Sequence, residues 1–281
     1  MSARARTSRP AAEDKTIVHP IDISWLSLAS AFVLVLVAVA LSAWQRLGLG
    51  KGLIFGAIRA SVQLILVGHI LLWLFATDQW YPVIGLMLLM VVVAAFTAAG
   101  REAHGATDLK YLRTICGIAI LVGSALTIAY VTTVVVPVTP WYNPRYLIPL
   151  FGMIVSNAMN GAALAAERLQ SEMNAARSEI EAYLALGASP HRAASEPVRR
   201  ALVAAMIPAV NSLAVMGIVS LPGMMTGQIL AGTDPTLAVR YQLVVVFMLV
   251  AATAITSAGV VIWYRKTFFS PAAQLLPRVP V

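Results

Sequence analysis

Polar side chains interrupt one of the hydrophobic stretches of the chain. Ser156, Asn157, Asn160 and Gly161 lie within residues 147–165, whose other members are mostly apolar. Asn157 and Asn160 are three residues apart, so a helix places both amides on one face. Such a face can line a route for a polar solute, or it can hydrogen-bond to a neighbouring helix that small residues allow to come close. The sequence leaves both interpretations open.

Four further residues are candidates for the same polar route. Gln63 and Gln228 are polar residues in apolar surroundings, and Met224 and Met225 follow a Pro-Gly pair that breaks the helical pattern. Thioether sulfur favours Cu(I), whereas Fe(II) prefers imidazole or carboxylate ligands, and methionine also fills gaps in a hydrophobic core. The sequence therefore assigns no metal ligand. The predicted translocation residues are Gln63, Asn157, Asn160, Met224, Met225 and Gln228.

Several kinds of chemistry are missing from the sequence. The hydrophobic stretches contain no Asp or Glu, which proton- and sodium-coupled transporters commonly use inside the membrane. The chain has neither a Gly-x-x-x-x-Gly-Lys-Ser/Thr nucleotide-binding loop nor a His-Glu-x-x-His zinc motif. We therefore expect a chain that is not an enzyme and holds no cofactor, and whose uphill transport would draw its energy from another subunit.

The composition indicates a membrane protein. Of the 281 residues, 59% are hydrophobic and only 11% are charged, and the hydrophobic residues form long runs. The net charge of +8 does not indicate a nucleic-acid partner, because the basic residues lie between these runs, where membrane topology puts them. We predict an all-α integral membrane protein with about seven transmembrane helices in one domain, 21–268, flanked by a polar N-terminal tail, 1–20, and a C-terminal tail, 269–281. The predicted spans are residues 23–44, 60–76, 80–99, 114–136, 147–165, 201–220 and 241–264.

The basic residues also predict the orientation of these spans. Of the 20 Lys and Arg residues, 14 lie in residues 45–59, 100–113 and 166–200 and after residue 264, and six lie on the opposite side. The positive-inside rule assigns the first set to the cytoplasm, with the N-terminus outside and the C-terminus cytoplasmic. Residues 221–240 are open to interpretation as a re-entrant segment, which is stable only where it is buried in protein.

The cytoplasmic segment 166–200 has the pattern of a docking element. A helix is predicted to continue from the fifth span to about Leu186, with Gly187 as the glycine that follows its end. Ser189 then caps a second, short helix whose first residue is Pro190 and which carries His191 and Arg192. A short helix across the ends of longer ones can dock into a groove on a cytoplasmic partner. The alternative is a solvated helical hairpin that only joins two spans.

Several strings resemble a known family of membrane subunits. Glu181-Ala182, followed by Gly187, resembles the cytoplasmic loop signature of ABC-transporter permeases. Nearly the whole chain, from about residue 20 to 270, resembles the FetB-type permease family, which is associated with bacterial iron export and has plant relatives linked to aluminium tolerance. The strings that carry this resemblance are Arg-Ala-Ser-Val-Gln-Leu at 59–64, Ile-Pro-Leu-Phe-Gly-Met-Ile at 148–154, Asn-Ala-Met-Asn-Gly at 157–161, Ser-Leu-Pro-Gly-Met-Met-Thr-Gly-Gln-Ile-Leu-Ala-Gly at 220–232 and Tyr-Gln at 241–242.

The resemblance implies a permease in the bacterial inner membrane that exports a metal, iron in this family. It also implies a separate FetA-like ATPase subunit, which would carry ATP and Mg²⁺, and a permease homodimer surrounded by lipid. The alternative from a different class is a non-transporting membrane sensor or scaffold that recruits a cytoplasmic partner through residues 178–200. The residues that the resemblance assigns to ATPase coupling are Glu181, Ala182, Gly187, Ser189, Pro190, His191 and Arg192.

Overall fold

The computed structural model describes residues 24–77, 79–100 and 109–276, with the exception of the side chain of Trp25. The predicted tail 1–20, most of the loop 100–113 and the end of the predicted tail 269–281 lie outside these ranges. Within them the chain forms ten α-helices and no β-strand. The helices are α1 (Trp25–Trp44), α2 (Gly50–Ala76), α3 (Trp80–Gly100), α4 (Leu109–Tyr130), α5 (Pro144–Ala175), α6 (Arg177–Ala185), α7 (Pro190–Ala193), α8 (Ser195–Val215), α9 (Gly223–Leu230) and α10 (Pro235–Tyr264).

Seven of the helices are long and apolar enough to cross a membrane: α1, α2, α3, α4, α5, α8 and α10. Helix α4 is extended by a π-helical turn, Val131–Val135, and α10 by a 3-10 turn, Arg265–Phe268. The prediction of an all-α integral membrane protein with seven spans is therefore confirmed.

Five of the membrane-spanning helices begin earlier than predicted: α2, α4, α5, α8 and α10. Helix α2 starts at Gly50, so Arg59 lies well inside a helix and not at its entrance. Helix α10 starts at Pro235 because Asp234 caps it: one carboxylate oxygen accepts from the backbone N–H of Thr236 at 2.9 Å and of Leu237 at 3.2 Å.

The predicted sixth span, 201–220, is wrong at its C-terminal end. Helix α8 ends at Val215, and the next residue but one, Gly217, has a φ of +82°. That left-handed backbone cannot continue a right-handed helix. Within residues 221–240, residues 223–230 form the short helix α9, which lies against α10, and residues 235–240 already belong to α10.

Helix α5 forms the centre of the bundle and contacts α3, α4, α8 and α10. Its 32 residues span about 48 Å at 1.5 Å per residue, against about 30 Å for a hydrocarbon core. The helix therefore extends beyond the membrane. We call the end of the bundle at which α5 meets α6 the connector end.

Small residues allow α4 and α10 to come close together. A Cβ atom on Gly123 would overlap Thr256 Oγ1 and would lie 3.3 Å from the backbone oxygen of Ala252. One turn earlier in α4, the carbonyl of Ala119 accepts a hydrogen bond from Thr256 Oγ1 at 3.3 Å. Membrane helices associate through this kind of small-residue contact, since lipid gives no hydrophobic drive for their association.

Helices α1 and α2 form a hairpin that is loosely attached to this bundle. The two helices pack mainly against each other, and α2 makes only a small contact with α5. The turn between them is held by the buried hydroxyl of Ser42, which accepts a hydrogen bond from the backbone N–H of Leu49 at 3.1 Å.

A buried hydrogen bond joins α5 to α10 near the connector end. The hydroxyl of Tyr264 donates to Gln170 Oε1 at 2.9 Å, and both side chains are buried. The ring of Tyr264 also meets Phe268 edge to face, with ring centroids 5.3 Å apart.

The Tyr264→Phe substitution is expected to destabilise the bundle by about 1 to 2 kcal/mol, because it leaves Gln170 Oε1 buried without a donor. Thermal unfolding of the detergent-purified protein measures the effect. Tyr130, which is exposed, provides the matched control. An equal loss of stability in Tyr130→Phe and Tyr264→Phe would contradict a specific role for the buried hydrogen bond.

Candidate functional site

A groove of about 370 Å³ lies between α5 and α8, and we call it the α5–α8 groove. It contains Asn157 and Asn160, both predicted to line a translocation route, together with Glu167 from the same helix. Helix α8 contributes Pro208 and Ser212 to the opposite wall. With Thr253 of α10, the groove combines one carboxylate, two amides and two hydroxyls in a largely apolar surrounding.

Asn157 presents an oxygen atom to the groove. Its Nδ2 donates to the backbone carbonyl of Met153 at 3.0 Å, which fixes the orientation of the amide because a carbonyl can only accept. The side-chain oxygen Oδ1 is thus left as the acceptor of this residue. Asn157 and Asn160 are both exposed to the groove and not buried in a helix contact.

Gly161 forms part of the groove wall and also a close contact between α5 and α10. A Cβ atom at this position would lie 2.8 Å from Thr253 Cγ2 and 2.9 Å from Ser257 Oγ. Both distances are too short for a side chain. Gly161 therefore serves helix packing, whereas Asn157 and Asn160 face the open volume.

Pro208 leaves one backbone oxygen of α8 without its usual hydrogen-bond donor. Proline has no N–H, so the carbonyl of Ala204, four residues earlier in α8, cannot receive its usual helix hydrogen bond. In a helix that carbonyl points towards residue 208, whose ring lines the groove.

Glu167 is the groove residue that the sequence did not reveal. It follows the predicted end of the fifth span at residue 165, in the segment 166–200 that the sequence predicts to be cytoplasmic. The structure continues α5 to Ala175, so residues 157, 160, 164 and 167 form one stripe on a single helix. This spacing of three, four and three residues is the sequence pattern that could have revealed Glu167 as a groove residue.

Glu167 also differs from its neighbours in having no ion-pair partner. In the described part of the chain, Glu172 pairs with Arg200 at 3.8 Å, Glu181 with Arg177 at 3.0 Å and Glu196 with Arg199 at 2.7 Å. Glu167 has no such pair there. Its carboxylate is therefore available to a ligand in the groove.

The remaining predicted translocation residues lie elsewhere. Met224 and Gln228 line a second cavity, of about 380 Å³, near the start of α5 and far from the connector end. Met225 is half-buried on α9 and does not line that cavity, and Gln63 is exposed on α2. Within one chain, the two asparagines therefore lie together in the α5–α8 groove, whereas Gln63, Met224 and Gln228 lie elsewhere.

Among the described residues no three His, Cys, Asp or Glu side chains form a group that could hold a metal ion.

The predicted docking element has the local structure that its sequence indicated. Gly187 follows α6 with a φ of +86°, and its N–H donates to the carbonyl of Leu184 at 3.0 Å while Ala188 N–H donates to that of Tyr183 at 2.9 Å. These two bonds form the Schellman motif that ends a helix. Ser189 then accepts from the backbone N–H of Arg192 at 3.4 Å and caps α7, which begins at Pro190. We call residues 176–194 the connector. One correction concerns its start, because the helix is interrupted at Ala176 and not continuous to Leu186.

The connector exposes an apolar patch between its two helices. Leu186 is 84% exposed and Tyr183 is 47% exposed, although both are large apolar side chains. Of the residues predicted to couple to an ATPase, Glu181, Ala182, Gly187, Ser189, His191 and Arg192 are also exposed, and Pro190 is half-buried. Tyr183 and Leu186 were not among the predicted coupling residues, but their exposure makes them the apolar centre of this surface.

Two contacts attach the connector and its neighbours to the bundle. Arg200 of α8 contacts Glu196 at 3.1 Å and Glu172 of α5 at 3.8 Å, so it ties together the two helices that form the groove. Arg177, the first residue of α6, donates to the backbone carbonyl of Leu276 at 3.2 Å, so the chain after α10 lies against the connector.

Comparisons with known proteins agree on one family. The model of UPF0014, described as an uncharacterised protein family, matches residues 25–269. The chain is 36% identical to a UPF0014 membrane protein of Synechocystis, over 91% of this chain and 98% of that one. It is also 36% identical to the protein ALUMINUM SENSITIVE 3 of Arabidopsis thaliana, over 89% of each chain. Identity is again 36% to the probable iron export permease protein FetB of Escherichia coli, over 89% of this chain and 94% of that one. No solved structure matches the chain. The family match covers all seven membrane-spanning helices, and the chain therefore belongs to the UPF0014 family of membrane proteins.

Proposed function

We propose that the chain is the permease subunit of an ABC transporter that exports a metal cation, with iron as the first candidate, and that a separate FetA-like subunit supplies ATP hydrolysis. The relative named as a probable iron export permease supports the substrate class. The observation that carries the proposal is the continuity of α5. One helix lines the polar groove and then extends out of the membrane to the connector.

The connector is suited to receive a cytoplasmic partner. Its exposed Leu186 and Tyr183 are flanked by the polar residues of α6 and α7, which is the usual arrangement of an apolar interface centre within a polar rim. The positive-inside rule assigns this end to the cytoplasm, so the partner would act from the inner face of the bacterial membrane.

Movement of the connector would reach the groove directly. The connector joins α5 to α8, and those two helices are the walls of the groove. A partner that draws the connector in one direction as ATP binds would therefore change the separation of the two walls. Alternation between a groove open to the cytoplasm and one closed to it would follow from this displacement.

The exposed hairpin supports a second copy of the permease in the assembly. Arg59 and Gln63 are exposed on α2, about a third and half of the way along a helix that crosses the membrane. Ionisable and amide groups at that depth are costly in lipid and are normally covered by protein. In a homodimer, the second copy would cover these two side chains on α2 of the first copy.

Reconstitution tests the proposed function. The chain is co-expressed with a FetA-like ATPase, purified as a complex and placed in liposomes, and ATP hydrolysis is measured with Fe²⁺, Mn²⁺ and Al³⁺ supplied. We expect metal-stimulated hydrolysis together with ATP-dependent movement of the metal across the membrane. A stable complex that shows neither would favour the alternative, a non-transporting sensor or scaffold that recruits a partner through residues 178–200.

A further inference from the structure

Glu167 lies at the connector end of the α5–α8 groove, two helical turns beyond Asn160. We propose that Glu167 receives the substrate as a free metal cation, which then passes to the amide oxygens of Asn160 and Asn157. This inference rests on the proposed transport function, and it specifies what that function leaves open: whether the metal enters alone or as an anionic chelate.

The charge of the site favours a bare cation. Glu167 is the carboxylate among the groove residues, and in the described part of the chain it has no ion pair, whereas Glu172, Glu181 and Glu196 are each matched by an arginine. An unmatched negative charge at the mouth of a groove attracts cations and raises their local concentration. The same charge repels a metal that carries citrate or another polyanionic chelator.

The other groups in the groove are oxygen acceptors. Asn157 offers Oδ1, because its Nδ2 is engaged with the carbonyl of Met153. Ser212 supplies a hydroxyl. Carboxylate, amide and hydroxyl oxygens are ligands for hard divalent cations such as Mn²⁺, and the carboxylate gives no support to an anion.

The spacing of these groups indicates a series of weak sites. Glu167 lies about 10 Å along the helix from Asn160 and about 15 Å from Asn157, whereas metal–oxygen bonds are about 2 to 2.6 Å long. One ion therefore cannot bind Glu167 and either asparagine together. A route for transport requires this arrangement, in which each step binds the ion strongly enough to admit it and weakly enough to release it.

Equilibrium binding of Mn²⁺ to the purified full-length chain tests the inference. Electron paramagnetic resonance measures the free hydrated ion, so binding appears as loss of its signal. We expect the unaltered chain to bind Mn²⁺, and Glu167→Gln to bind it about tenfold more weakly, because the substitution removes one unit of negative charge beside the ion and leaves the side-chain shape unchanged. Because citrate itself removes the signal of the hydrated ion, the citrate arm uses equilibrium dialysis of radiolabelled Mn²⁺, and Mn²⁺ presented with excess citrate should not bind to either chain.

Glu179→Gln is the matched control. Glu179 is an exposed carboxylate on α6 that also lacks an ion pair in the described part of the chain, but it does not line the groove. The chain with Glu179→Gln should bind Mn²⁺ with the same affinity as the unaltered chain. The inference is overturned if the unaltered chain binds no Mn²⁺, if Glu167→Gln binds it normally, if Glu179→Gln loses as much, or if the citrate complex binds equally well.

This test is separate from the transport assay. Mn²⁺ binding that depends on Glu167, in a complex without metal-stimulated ATP hydrolysis, would uphold the cation site and reject the proposed function. Metal-stimulated hydrolysis that is identical in the unaltered and Glu167→Gln complexes, with identical Mn²⁺ binding, would uphold the proposed function and reject the cation site.

Discussion

Replacement of Leu186 by Asp is expected to abolish stable association with the proposed ATPase subunit. Leu186 is 84% exposed at the tip of the connector, beside Tyr183, and a side chain of this kind at the centre of an interface commonly accounts for about 2 to 4 kcal/mol of binding. A buried, unpaired carboxylate adds a desolvation cost to that loss. We therefore expect affinity for the ATPase to fall by about 100-fold or more, measured by co-purification and by binding of the isolated ATPase to permease in nanodiscs.

The fold of the permease should survive this substitution, because so exposed a side chain contributes little to the core. Leu47→Asp provides the matched control: Leu47 is 59% exposed in the turn between α1 and α2, at the end of the bundle that carries the connector in the predicted topology, but outside the connector itself. The Leu47→Asp substitution should not change co-purification of the chain with the ATPase. If Leu186→Asp retained normal ATPase binding while its thermal stability was unchanged, the connector would not be the docking surface.

Among the glycines that the structure describes, Gly123 is expected to lose the most stability when a single methyl group is added by Gly123→Ala. The added Cβ would overlap Thr256 Oγ1, and backbone atoms of Ala252 and Thr256 lie 3.3 Å away, so α10 must move and not merely a side chain. Overpacking of this kind costs about 1 to 3 kcal/mol. We expect a fall of several degrees in the Tm of the detergent-purified protein.

The direction of the change in Tm on a Gly→Ala substitution distinguishes a packing clash from an effect of helix propensity. Gly85 of α3 has nothing within 4 Å of an added Cβ, so Gly85→Ala should leave the Tm unchanged or raise it, as alanine favours a helix over glycine. Adding Thr256→Ala to Gly123→Ala should restore part of the lost stability, since it removes the overlapping oxygen but not the backbone contacts. Equal Tm values for Gly123→Ala and the unaltered protein would contradict the close α4–α10 contact.

Much of the architecture could be predicted from hydrophobic runs and local capping residues. The seven spans, the glycine after α6 and the Ser189-Pro190 start of α7 follow from patterns that act over a few residues. The ends of the helices were harder to predict from the sequence. The beginning of α2 at Gly50 lies in a glycine-containing segment whose composition resembles a loop, and it forms because the segment is continuous with an apolar helix.

The candidate site was only half visible in the sequence, because a groove is a property of two helices. Asn157 and Asn160 stand out as amides among apolar residues, and the structure puts both in the α5–α8 groove. Glu167 did not stand out, since a carboxylate after a predicted span is ordinary. Only the continuation of α5 and the proximity of α8 give it a place beside the asparagines. Met224 was predicted from the Pro-Gly break before it and Gln228 from its polarity in apolar surroundings, and both residues line a different cavity.

The α1–α2 hairpin has a consequence for how the protein is made. Its helices are synthesised first and contact each other far more than the rest of the chain, so the pair can enter the membrane before the bundle exists. The positive-inside rule predicts that the basic residues Arg46 and Lys51 at its turn stay in the cytoplasm and so help to set the direction in which the later helices are threaded. Neutralising both should yield chains inserted in mixed orientations, even though neither residue touches the groove or the connector.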